Sequence, residues 1–216
     1  VLDEKPNTII IATGGMPNLE LFETKKDLEN VYTSWDIISG DVKLSDNILI
    51  YDEAGDHTGM QSAEIAIKEG STVEFMTPDR LISSEIMGMN LTPYLKNLQN
   101  KKITYSIAKR LLDVSIKGNK LNTLIGSDYD ENFKYNSSYD QVFLNYGIKP
   151  LDELYFSLVP YSKNKGEIDY KKFINGEEQD IISDNNQFNL FRIGDAVSSR
   201  NIHAAIYDAL RLVINL

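Results

Sequence analysis

Apolar positions in this chain come in short runs set between polar turns. Ile9-Ile10-Ile11, Ile48-Leu49-Ile50-Tyr51, Val73 to Met76, Val142-Phe143-Leu144 and Phe188 to Ile193 are such runs. Their length and branched or aromatic content predict buried strands, as in parallel sheets covered on both faces. Between the second and third runs, Gly59 to Lys68 has helical periodicity through Met60, Ala63, Ile65, Ala66 and Ile67, and Gly70 ends it. Strand, helix and strand in that order predict a parallel βαβ unit with a right-handed crossover. A second helix is predicted over 91–98, with Pro93 in its first turn. Short strands are expected at 103–106, 111–116 and 120–125, the last two joined by a hairpin turn at Lys117-Gly118-Asn119. Residues 126–138 read as a polar loop, and 18–46 as a connector with a short helix or two, in which Trp35 is a packing anchor. The final stretch, 202–216, is an amphipathic helix with apolar residues at Ile202, Ala205, Ile206, Ala209, Leu210 and Val213.

The chemistry is expected where two of these strands end. The first runs into Thr13-Gly14-Gly15-Met16-Pro17, a tight turn in which glycine permits positive φ and close approach of backbone to a ligand. The last runs into Gly194-Asp195-Ala196 and then, past Arg200, into the final helix. A strand that delivers an acid to a helix N-terminus suits a nucleotide: free N–H groups attract phosphate, and the carboxylate accepts from sugar hydroxyls. Each segment alone is also explained as a buried strand with a turn or a capped helix. Gly147-Ile148-Lys149-Pro150 repeats the Gly-x-x-Pro form of Gly14 to Pro17, as two nucleotide-type domains would.

The loop before the helix at Gly59 departs from the dinucleotide pattern. G-x-G-x-x-G falls on Ala54-Gly55-Asp56-His57-Thr58-Gly59, which keeps only the third glycine. Asp52, Glu53 and Asp56 would meet a pyrophosphate with like charge. A cofactor at this site is therefore not expected, although Asp79 and Arg80 stand where a ribose acid and a 2′-phosphate partner would.

Composition narrows the rest. The 216 residues carry a net charge of −10, which argues against nucleic acid and anionic membrane surfaces. There is no cysteine, so no disulfide, redox pair or iron–sulfur ligand, and two distant histidines, His57 and His203, make no metal site. No apolar run reaches the roughly 20 residues needed to span a bilayer. A cytoplasmic protein is expected.

The Ala-Thr-Gly strand at 12–14 and the Gly-Asp segment at 194–195 together resemble the pyridine nucleotide-disulfide oxidoreductases. With Tyr51 to Gly59, Ala63-Glu64 and Thr77-Pro78, nearly the whole chain resembles the C-terminal region of the trimethylamine dehydrogenase and 2,4-dienoyl-CoA reductase group. The resemblance implies an α/β fold, a Rossmann-like parallel-sheet domain of the FAD/NAD(P)-binding type inserted into a partial second dinucleotide-binding domain. The expected boundaries are 1–45 and 151–216 for the FAD/ADP-type part and 46–150 for the NAD(P)-type part. It implies FAD or ADP at Thr13, Gly14, Gly15, Gly194, Asp195, Ala196 and Arg200; the lack of cysteine, the isolation of both histidines and the absence of a paired carboxylate constellation give the separate expectation of no catalytic or metal residue here. FMN and an iron–sulfur cluster would belong to a missing N-terminal β/α barrel, the expected partner, with an amine or N-methyl compound as substrate. NAD(P) is not expected, and a homo-oligomer stays open. The alternatives are a region of an NAD(P)H-dependent 2,4-dienoyl-CoA reductase-like enzyme and a ligand-free interaction or scaffold module.

Overall fold

The computed structural model describes residues 2–19, 28–179 and 188–214. In chain order the elements begin with β1 (Thr8–Ile11), β2 (Gly15–Pro17), β3 (Val31–Thr33), α1 (Ser34–Ser39), β4 (Asn47–Asp52), α2 (His57–Lys68), β5 (Thr72–Met76), α3 (Gly88–Leu98) and β6 (Ile103–Ser106). There follow β7 (Arg110–Lys117), β8 (Lys120–Gly126), β9 (Tyr135–Tyr139), β10 (Gln141–Asn145), β11 (Ile148–Pro150), α4 (Glu153–Leu158), α5 (Tyr170–Asn175), β12 (Asn189–Arg192) and α6 (Ile202–Val213). They form two compact units, Val1–Met16 with Ile148–Leu216, and Pro17–Gly147.

The unit of residues 17–147 is built on a wholly parallel sheet in the order β3-β10-β4-β5-β6. The middles of its central strands are largely apolar because both faces are covered. On one face Ile48, Ile50, Phe75 and Phe143 meet Ile37, Met60, Ala63, Ala66 and Leu98 from α1, α2 and α3. On the other, Leu49, Tyr51, Met76 and Val142 meet Leu111, Val114, Leu121, Ile125 and Tyr139 from an antiparallel sheet, β7-β8-β9.

Several expectations are corrected here. The described residues 17–19 and 28–45 do not go with the first strand: Val31 and Thr33 pair with Val142 and Leu144, and α1 packs on α2, so the boundaries fall at 16/17 and 147/148. The free edge of β10 supplies hydrogen-bond partners that three residues of connector need. Trp35 is 38% exposed, and Ile37 is the apolar anchor of α1. The polar stretch before residue 139 contains β9, which pairs with β8 from Leu121↔Tyr139 to Ile125↔Tyr135. Helix α3 begins at Gly88, so Pro93 lies in its second turn, where the ring is solvent-exposed.

In the other unit β1 runs parallel to β12, with Ile9 opposite Leu190 and Ile10 opposite Phe191. Ile9, Ile11, Phe188 and Leu190 form its core with Tyr155, Leu158 and Ala196. The outer edge of β12 is closed by a side chain: Asn164 donates to the Leu190 carbonyl at 2.8 Å and accepts from the Leu190 N–H at 2.9 Å. The periodicity of α6 is as read, but its apolar stripe is bare. Ile202, Ile206 and Leu210 are 71%, 58% and 52% exposed, and the helix buries Asp208 and Leu212 instead. Among the described residues no helix is long and apolar enough to cross a membrane.

Candidate nucleotide-binding site

The register of β1 against β12 sets Ile11 opposite Arg192, and Ile193 N–H donates to the Ile11 carbonyl at 3.0 Å. The turns at Ala12–Gly15 and Gly194–Ala196 therefore begin side by side at the carboxyl ends of two parallel strands, where α/β sheets take their ligands. Gly14 sits at φ 73° with open space where a Cβ would be. A Cβ on Gly15 would instead run into Ile148 and lie 2.7 Å from the Lys149 carbonyl oxygen, so that glycine serves the pairing of β2 with β11. Thr13 donates its hydroxyl to the Leu151 carbonyl, and Leu151 N–H returns to the Gly14 carbonyl at 3.0 Å. The turn is thus tied down, with Gly14 as its open point.

On the second strand Gly194 takes φ 61° and packs against Ala205, whose Cβ would be 3.4 Å from a side chain there. Ala196 is fully buried. Asp195 is half-buried and its Oδ1 accepts a long 3.4 Å bond from Arg200 N–H. The N-terminus of α6 is capped by Asn201, which accepts from Ala204 N–H at 3.0 Å. That residue occupies a donor that the helix would otherwise offer to phosphate, and the acid suits hydroxyl groups. Arg200 is directed elsewhere: its guanidinium is paired with Asp208, which also accepts from Gly194 N–H at 3.2 Å. Behind the turn lies a cavity of about 530 Å³ that Arg192, Arg200, Arg211 and Tyr155 help to line. Arg192 bonds Asp152 at 2.7 Å and lies on the Tyr155 ring.

The degenerate loop of the other unit has its polar groups engaged internally. Asp52, fully buried, accepts from Gly55 N–H at 3.0 Å and Asn145 Nδ2 at 2.8 Å, while its Oδ2 has no partner among the described residues. Burial pushes its carboxyl up to about 7. Asp56 caps α2 through Thr58 N–H at 3.0 Å and shares Asn145 Nδ2, also at 3.0 Å. Glu53 is held by Arg110 at 3.0 Å and by the Tyr51 hydroxyl at 3.1 Å. Arg110 grips Asp128 through two bonds of 2.6 Å and holds that exposed carboxyl below the usual range. The chain also covers its own loop, since Glu85 N–H bonds the Gly55 carbonyl at 3.0 Å and a Cβ on Gly55 would be 2.7 Å from Ser84 Oγ. Asp79 is used by Ser84 at 2.8 Å.

Sequence reasoning did not single out Asp208, Asn145 or Arg110. Asp208 falls on the face that the periodicity of α6 leaves polar, so its burial is visible only in the folded chain.

The chain has an α/β fold with a parallel sheet, of the FAD/NAD(P)-binding type shared with disulfide reductases. No protein-family model matches it. It is 49% identical over 211 residues to the probable N-methylproline demethylase of Rhizobium meliloti (strain 1021), a match covering 97% of this chain and 31% of that protein. It is 30% identical over 222 residues to the N,N-dimethylglycine/sarcosine dehydrogenase of Chromohalobacter salexigens, covering 98% and 32%. The chain spans about a third of the length of these curated relatives. Its fold matches 6-hydroxypseudooxynicotine amine oxidase from Pseudomonas geniculata N1 with a TM-score of 0.73 at 19% identity, covering 98% of this chain and 29% of that one. Thioredoxin reductase from Lactococcus lactis matches with a TM-score of 0.61 at 16% identity, covering 94% and 63%.

Proposed function

We propose that this chain is the nucleotide-binding C-terminal region of a longer flavin-dependent oxidoreductase of the trimethylamine dehydrogenase type, acting on N-methyl compounds. The observation that supports the reading is that the turns holding Gly14 and Asp195 both start at the carboxyl ends of the paired strands β1 and β12, whose register runs to Ile11 opposite Arg192. An open glycine backbone and an acid whose second carboxylate oxygen has no bond among the described residues fit the sugar or ribityl hydroxyls of FAD or ADP. Phosphate anchorage belongs to a Gly-rich loop elsewhere in the whole protein, since the N-terminus of α6 is capped. FAD would supply redox chemistry at this site and ADP only a structural ligand; the residues here bind and orient the nucleotide and perform no proton transfer. The second unit is a scaffold whose former cofactor loop is filled by Asp52, Asp56 and the segment through Glu85.

The length of the relatives supports the remaining step. A two-stranded parallel sheet and a bare apolar face on α6 are not a finished domain. The rest of the polypeptide, including the expected β/α barrel, covers the Ile202–Ile206–Leu210 stripe. Purifying the full-length protein, denaturing it and identifying the released nucleotides by mass spectrometry tests the assignment. FAD or ADP in stoichiometric amount is expected; NAD(P) alone would reverse it.

A further inference from the structure

Asp208 is a buried carboxylate that no part of the reading above uses. It sits in the second half of α6, 9% exposed, in a helix that leaves Ile202, Ile206 and Leu210 exposed. Its Oδ2 accepts from the N–H of Gly194 at 3.2 Å, and both its oxygens take the guanidinium of Arg200, Nη1 at 3.3 Å and Nη2 in a shorter bond. Arg200 Nη2 also reaches the Gly194 carbonyl at 3.5 Å, and the Arg200 backbone N–H reaches Asp195 Oδ1 at 3.4 Å. Gly194 is in the left-handed region and packed on Ala205, so both of its peptide polar groups are fixed from the side away from β1. Other charged groups that line the same cavity as the pair are Arg192, bonded to Asp152, Arg211, which lies over Tyr207, and Glu167.

We infer that Asp208 and Arg200 are positioning residues that act as one unit: the pair clamps the Gly194-Asp195 turn from behind and so aims the Asp195 carboxylate at the nucleotide. Arg200 then makes no contact with the ligand itself, in contrast to the role that its place in the sequence implies. A buried carboxylate held by a guanidinium and a backbone N–H is a fixed point, and removing either partner leaves the other charge unpaired. The inference rests on the nucleotide site proposed at Asp195, and its test separates the two.

The experiment uses the full-length protein, with FAD as probe followed by quenching of its fluorescence, and amide hydrogen exchange of the nucleotide-free form. Asp208→Asn keeps the shape and the acceptor for Gly194 but loses the ion pair; Arg200→Gln removes the other half at a partly exposed position. Each is expected to weaken FAD about tenfold, as loss of a charged hydrogen bond does. The double variant should be no worse than either single within about twofold, and Arg200→Lys should restore most of the affinity. Without nucleotide, amides of 194–197 should exchange faster in Asp208→Asn while those of β1 do not. Unchanged exchange in that segment overturns the clamp whatever FAD does. So do multiplying losses in the double variant, or a loss with Arg200→Gln that Asp208→Asn does not share, because then Arg200 touches the ligand. If Asp195→Ala leaves FAD binding untouched, the site assignment fails, and the exchange result alone judges the clamp.

Discussion

The carboxyl group of Asp52 occupies the space that a side chain on Gly59 would need: a Cβ there would lie 2.7 Å from Asp52 Cγ. The third glycine of the old fingerprint is therefore required by an acid that the fingerprint does not contain. Gly59→Ala should destabilise the 17–147 unit by about 1–3 kcal/mol through overpacking, more than the ~1 kcal/mol that alanine returns to the helix. The same change made in an Asp52→Ala background should be nearly neutral or stabilising. Calorimetric melting of the four proteins checks the coupling; equal losses in both backgrounds would show that the carboxyl is not the obstacle.

Asp52 also predicts a pH dependence with a definite sign. Its folded value of about 7 lies above the ~3.9 of an unfolded carboxylate, so the folded state binds the extra proton between these limits. The group thus lowers stability progressively as pH rises from about 4 to 7. Asp52→Asn keeps an acceptor for Gly55 and Asn145 and removes the charge. Its stability relative to the parent should grow by roughly 1.4 kcal/mol per pH unit through that window and stay flat above it. Melting curves at pH 5 and 8 read this out, and a difference that shrinks with pH would contradict it.

The bare stripe of α6 carries a third expectation. If the rest of the polypeptide covers this face as proposed, Ile206, 58% exposed in this chain, is buried in the full-length protein, and Ile206→Glu should lower its stability by about 2–3 kcal/mol. Wild-type melting behaviour of that variant would mean that the face stays in water.

What could be read from residue patterns alone follows physical lines. Buried strands announce themselves, and the pairing of the Ile9 and Phe191 strands was predictable because both lacked any other partner. Strand β9 was hidden because Asn136, Ser137 and Ser138 are polar, as befits an edge strand on an outer sheet. The boundary at residue 45 failed because Val31–Thr33 is too short to show a period, and its place is set by the edge of β10, more than a hundred residues on. In the candidate site, glycine and acid positions were legible, since turns have local signatures. The orientation of Arg200 was not, because it depends on a carboxylate two helical turns away that periodicity alone assigns to solvent. Asn145, which joins Asp52 and Asp56 from the end of another strand, leaves no local trace at all.

The central claim is that nucleotide binds at the Gly14 and Asp195 turns and not at the Asp56 loop. Its most direct test is retention of nucleotide by the full-length protein after Asp195→Ala and after Asp56→Ala. Asp195→Ala should weaken retention by roughly 1–3 kcal/mol, the scale of a lost charge-assisted hydrogen bond, and Asp56→Ala should leave it unchanged. Tight NADH or NADPH binding that is lost at Asp79 or Gly59 and indifferent to Asp195 would contradict the account.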